Sequence, residues 1–81
     1  MSEKQITLDL IADVASPTEI IFEDGESSND WLKPYDLRLA VTQTVGPNGY
    51  PEVAIIGQED DLRRFLAEKL PDTDGELEDV R

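Results

Sequence analysis

Carboxylates are the main reactive side chains of this chain: 19 Asp and Glu stand against 7 Lys and Arg in 81 residues, with no His and no Cys. Without His, the usual general base and the commonest transition-metal ligand are missing. Without Cys there is no thiol catalysis, no Cys-ligated metal and no disulfide framework. Carboxylates alone can act as an acid–base pair, bind a hard cation, or present charge. Asp24 with Glu26, and Asp60 with Asp61, are close enough in sequence to share acid and base roles, but no surrounding pattern sets either pair in a pocket. There is no Gly-rich phosphate loop and no nucleophile elbow. Asp72-Thr73-Asp74-Gly75 resembles the middle of an EF-hand loop. Aligned on Gly75, however, the first ligand position falls on Leu70 and the bidentate position on Arg81, with Pro71 ahead of the motif. The sequence therefore predicts no catalytic residue, no metal ligand and no cofactor, in a protein that is not an enzyme.

Presenting charge remains, and the acids are unevenly placed. Glu59, Asp60 and Asp61 open an apolar-periodic segment, where negative charge interacts favourably with a helix N-terminus. Glu59 with Arg63, and Asp60 with Arg64, are spaced i, i+4 for helical ion pairs. Asp72, Asp74, Glu76, Glu78 and Asp79 fall in a polar tail that solvates itself or reaches a basic partner. No such local account covers Asp9, Asp13, Glu19, Glu23, Asp24, Glu26 and Asp30. These seven acids lie between Gln5 and Leu32, where there is no basic residue, and carry 7 of the 12 net negative charges. Uncompensated carboxylates at this density repel one another at low salt. Such a row repels nucleic acid and anionic membrane and attracts basic protein surfaces. Trp31, Tyr35 and Tyr50 are the side chains suited to anchoring an interface, since aromatic rings bury large area at low entropic cost. Tyr50, beside the Gly46-Pro47-Asn48-Gly49 turn, is expected to be the most exposed of the three.

The elements that must position these residues are short. Ile6, Leu8 and Leu10 alternate with Thr7 and Asp9, the period of a half-buried strand, and Ile11 breaks the alternation so that the strand ends near Ala12. Ser16-Pro17-Thr18-Glu19 matches a helix start. The β-branched and aromatic run Ile20-Ile21-Phe22, cut off by Gly25, favours instead a second strand over about residues 18–23. Gly25 to Asp30 reads as a loop, and residues 31–35 as a single turn folding back on the core. Leu37, Leu39 and Val41 open a third strand that runs to about Val45. The Gly-Pro-Asn-Gly turn then leads into a fourth, antiparallel strand from Glu52 to Ile56. Leu62, Phe65, Leu66 and Leu70 form one apolar stripe on a helix over 59–69, which Pro71 stops.

The expected architecture is α+β: a small antiparallel β-sheet of three to four strands with one C-terminal α-helix packed on one face. Residues 1–70 form the single domain and 71–81 an acidic disordered tail. The N-terminus has no basic and apolar leader pattern, and no apolar run approaches the roughly 20 residues needed to span a bilayer. The expected location is cytoplasmic, the host cytoplasm if the chain is phage-encoded.

The function these features favour is non-catalytic binding: an inhibitor that occupies the basic nucleic-acid-binding surface of a partner protein by mimicking nucleic-acid charge. B-DNA presents one charge per ~1.7 Å of axis, and a groove built for it would accept a comparable row of carboxylates. In size and charge alone the chain resembles the small acidic proteins of phage and mobile elements, the anti-CRISPR, anti-restriction and DNA-glycosylase inhibitors. The expected partner-binding residues are Asp9, Asp13, Glu19, Glu23, Asp24, Glu26, Asp30, Trp31 and Tyr50. The partner is expected to be a basic protein surface, with no direct nucleic acid and no membrane. Two alternatives use the same composition differently. In one the chain is a small virion or complex subunit, assembling through strand edges or through Trp31 and Tyr35, whose acidic face serves only solubility. In the other, excess acid with only three lysines is adaptation to high salt.

Overall fold

Period-two alternation sets the sheet. Ile6 and Leu8 stand opposite Ile55 and Val53, which in turn stand opposite Leu39 and Val41, so three strands offer one continuous aliphatic stripe. In the computed structural model, which describes residues 3–46, 49–72 and 77–80, this stripe is the centre of a four-stranded antiparallel sheet. Its strands are β1 (Glu3–Asp9), β4 (Arg38–Gln43), β5 (Glu52–Gln58) and β6 (Glu78–Asp79), in spatial order β4-β5-β1-β6. A separate two-stranded hairpin joins β2 (Ala12–Ser16) to β3 (Glu19–Phe22), and two helices interrupt the strands, α1 (Ser28–Leu32) between β3 and β4 and α2 (Glu59–Lys69) between β5 and β6. The class is α+β.

The second strand expected over 18–23 forms as β3, and it pairs with a strand the sequence reading did not anticipate. In β2, Ala12, Val14 and Ser16 are half-buried while Asp13 and Ala15 are exposed, a genuine alternation whose inward residues are too small to announce themselves. The first strand stops at Asp9, three residues before Ala12, and the chain bends through Leu10 and Ile11.

The stretch read as a loop begins a helix early. Ser27 caps α1, its hydroxyl oxygen accepting the Asn29 N–H at 3.2 Å. Ser28, fully buried, accepts the Ile20 N–H at 3.0 Å and ties α1 to β3. A 3-10 turn over Lys33–Tyr35 follows, ended by Asp36 in the left-handed conformation at φ 55°. Near the end of β5, Gly57 leaves room for Leu37: a Cβ there would stand 2.3 Å from the Leu37 Cδ2, so that side chain would have to move aside.

Ile6, Ile20, Leu32, Leu39, Val53, Ile55, Leu62 and Phe65 form one buried cluster, each no more than 2% exposed. Of the expected helical stripe, Leu62 and Phe65 are fully buried and Leu66 and Leu70 half-buried. Trp31 meets Phe22 and Phe65 edge-on at 5.0 and 4.8 Å, and Tyr35 meets Phe65 at 5.4 Å.

Part of the segment assigned to a tail carries structure. Glu78 and Asp79 pair with Gln5 and Lys4 along the edge of β1, and Asp79 forms an ion pair with Lys4. Residues 73–76 and 81, with most of the EF-hand-like motif, lie outside the described residues, as do Pro47 and Asn48 at the centre of the expected β4–β5 turn. Among the described residues, no helix is long and apolar enough to cross a membrane.

Candidate functional site

The acids of the base-free stretch divide into three sets. The first gathers at one end of the molecule, where the bend after β1 meets the β4–β5 turn. That turn is held by the Gly46 N–H donating to the Tyr50 carbonyl at 2.6 Å and the Gly49 N–H to the Gly46 carbonyl at 3.0 Å, with Gly49 at φ 83°. Asp9 ends β1 beside it: its Oδ1 is 3.6 Å from where a Cβ on Gly46 would stand. Asp13 is exposed on β2, in register with Ile21. Glu23, Asp24 and Glu26 are exposed in the turn that leaves β3. There the Asp24 carboxylate accepts the Glu26 N–H at 2.9 Å, and the Phe22 N–H donates to the Glu26 carbonyl at 2.9 Å. A crevice of about 300 Å³ brings Asp13 and Glu23 together with Ile11, Ile21 and Tyr50.

The second set is Glu19 alone. It is half-buried and accepts the Ser27 hydroxyl, so it supports the residue that caps α1. The third is Asp30, exposed on α1, which lines a separate depression with Thr18, Asn29, Lys33 and Arg38. Of the two aromatic residues expected at the interface, Tyr50 is exposed at the rim of the crevice, whereas Trp31 is half-buried between the Phe22 and Phe65 rings.

Four of the bases are committed elsewhere, while Lys33 and Lys69 are exposed and form no ion pair among the described residues. Arg38 grips Glu3 through two bonds of 2.6 and 2.7 Å, and Lys4 holds Asp79. On α2, Arg63 pairs with Glu59 at 3.0 Å; Arg64 pairs with Asp61 at 3.5 Å, rather than with the expected Asp60, and its guanidinium stands 5.4 Å from the Tyr35 ring centre. Among the described residues, no Lys or Arg is within ion-pair distance of Asp13, Glu23, Asp24, Glu26 or Asp30. The titration shifts follow this pairing. Bonding to the Arg38 guanidinium holds the Glu3 carboxyl below the usual range, and bonding to Asp79 raises Lys4. Burial, then a 3.2 Å bond donated to Glu68, pushes the Tyr35 phenol up.

Among the described residues, no group of three or more carboxylates is disposed to hold a metal ion. Residues the sequence reading passed over are Ile11 and Ile21. Ile11 left a signal, the break in the β1 alternation; Ile21 left none that separates it from a core isoleucine. Three large apolar residues are exposed among those described: Ile11 at 54%, Val45 at 69% and Tyr50 at 43%. All three belong to the same bend and the same turn, so an apolar tip sits inside the acidic set. Compared with protein-family models, curated proteins and solved structures, the chain matches none of them.

Proposed function

We propose that this chain is a non-catalytic binding protein, an inhibitor that sets its acidic end on the basic, nucleic-acid-binding surface of a partner protein. The observation that carries the proposal is the separation of charge. The bases Lys4, Arg38, Arg63 and Arg64 are held by Asp79, Glu3, Glu59 and Asp61, while Asp13, Glu23, Asp24 and Glu26 stand exposed at one end beside Asp9. Exposed like charges repel and lower stability at low salt, and a basic partner converts that repulsion into attraction. Complementary charge of this kind speeds encounter and selects partners more than it adds affinity. The contact therefore needs apolar anchors as well, and Tyr50 and Ile11 supply them inside the acidic set. α2, laid across one face of the sheet, takes no part in the docking surface.

The experiment exposes immobilised wild-type chain and the variant Asp13→Lys/Glu23→Lys/Asp24→Lys to a cell lysate, at low and moderate salt, with and without added duplex DNA. Nucleic-acid-binding proteins are expected on the wild type at low salt, released by salt and by duplex, and absent from the variant although its circular dichroism is unchanged. Retention that survives salt, ignores duplex and persists on the variant would overturn the proposal and favour an assembly subunit.

A further inference from the structure

We infer that the crevice between the β2–β3 hairpin and the β4–β5 turn is a slot for one arginine side chain of the partner. The inference rests on the docking reading above and makes it specific. Alongside Ala12 and Gly49, five larger side chains line the slot: Ile11, Ile21 and Tyr50 supply apolar surface, and Asp13 and Glu23 supply charge. At about 300 Å³ it sits at the bottom of the range for small-molecule clefts, which suits a side chain rather than a cofactor.

Charge complementarity fixes the sign of the occupant. Neither Asp13 nor Glu23 has a cation within ion-pair distance among the described residues. The apolar surface fixes its shape. Ile11 is 54% exposed, an unusual state for an isoleucine, and Tyr50, which also lines the slot, is 43% exposed. An aliphatic stem lying on Ile11 and Ile21 would cover that surface while its charged head reached the carboxylates. Lysine and arginine both offer such a stem. Arginine differs in its flat, weakly hydrated guanidinium, which stacks on an aromatic ring and bonds a carboxylate through two parallel N–H groups. Tyr50 and the two carboxylates match both properties. An uncharged aliphatic occupant would leave Asp13 and Glu23 partly desolvated with no compensation, and a nucleic acid would meet them with its own negative charge.

The test titrates a blocked glycine peptide carrying one arginine, and its counterpart carrying one lysine, into isotope-labelled full-length protein, followed by amide chemical shifts. Arginine peptide is expected to move the amides of Ile11, Asp13, Ile21, Glu23 and Tyr50, and to saturate at roughly two- to fivefold lower concentration than lysine peptide, the effect of an exposed cation–π contact. Tyr50→Leu should abolish that preference while leaving a weaker response to both peptides. Asp13→Asn with Glu23→Gln should remove both responses. Both sets of substitutions lie on exposed side chains, and an unchanged spectrum elsewhere confirms the fold. Equal saturation by the two peptides at this end overturns the arginine slot and leaves the charge-docking proposal standing. Shifts centred on another part of the chain, or none at all, overturn the slot, and the duplex-competed capture then decides the docking proposal by itself.

Discussion

Replacing Ser28 with alanine should be the most damaging small change in the chain. Ser28 is the one polar residue fully buried among those described, and its hydroxyl oxygen accepts the Ile20 N–H at 3.0 Å. Alanine keeps nearly the same volume, so no cavity opens, and the cost is that of a buried amide left without a partner, about 1–3 kcal/mol. A domain of this length has a total stability of about 4–12 kcal/mol at the usual per-residue value. With a urea slope of about 1 kcal/mol/M for a small protein, the midpoint should fall by about 1–3 M. Urea unfolding followed by circular dichroism measures it, and the Ile20 amide should lose hydrogen-exchange protection before its neighbours do. The damage bears on the proposed site, because Ser28 fastens α1 to the hairpin that carries Asp13 and Glu23. A midpoint within about 0.3 M of wild type, with the urea slope unchanged, would refute the reasoning.

Phe65→Ala should cost about 3–5 kcal/mol, since it empties the centre of the core and removes the edge contacts of both Trp31 and Tyr35; loss of near-ultraviolet circular dichroism at room temperature reports it. Arg38→Met should raise the Glu3 carboxyl toward its ordinary value, read by a carboxyl-carbon NMR titration. The sign follows from a depressed folded-state value: the stability this pair contributes is present above the unfolded-state pKa and lost as pH falls through the folded one. Tyr35 should ionise above the usual tyrosine range in an ultraviolet difference titration. Its raised value means the associated stability is present below the unfolded-state pKa and lost as pH rises through the folded one. Glu68→Ala should bring Tyr35 only part of the way back, because burial is the larger cause.

The sequence made legible those elements whose inward residues are large. Ile6 and Leu8 announce β1, Leu39 and Val41 announce β4, Val53 and Ile55 announce β5, and Leu62 with Phe65 announces α2. β2 was hidden because Ala12 and Ser16 bury too little apolar surface to mark a period. α1 was hidden because its start, the cap Ser27 and the first helical residue Ser28, reads as loop composition. One of those serines bonds the Asn29 amide and the other is fully buried against β3. The acidic stretch was legible as charge but not as geometry. Five of its acids reach one end, whereas Glu19 is drawn into the α1 cap and Asp30 onto another side, because the hairpin and helix carry sequence neighbours apart. Trp31 shows the same limit. Its size fits an anchor, but only tertiary contact reveals that Phe22 and Phe65 already hold it.

The docking proposal turns most directly on the salt dependence of binding to a partner recovered by the lysate capture. Its dissociation constant should weaken roughly tenfold or more between about 50 and 200 mM salt, and Asp13→Lys/Glu23→Lys/Asp24→Lys should abolish binding throughout that range with the fold intact. A dissociation constant that is flat across the range, and equal for wild type and variant, would contradict it.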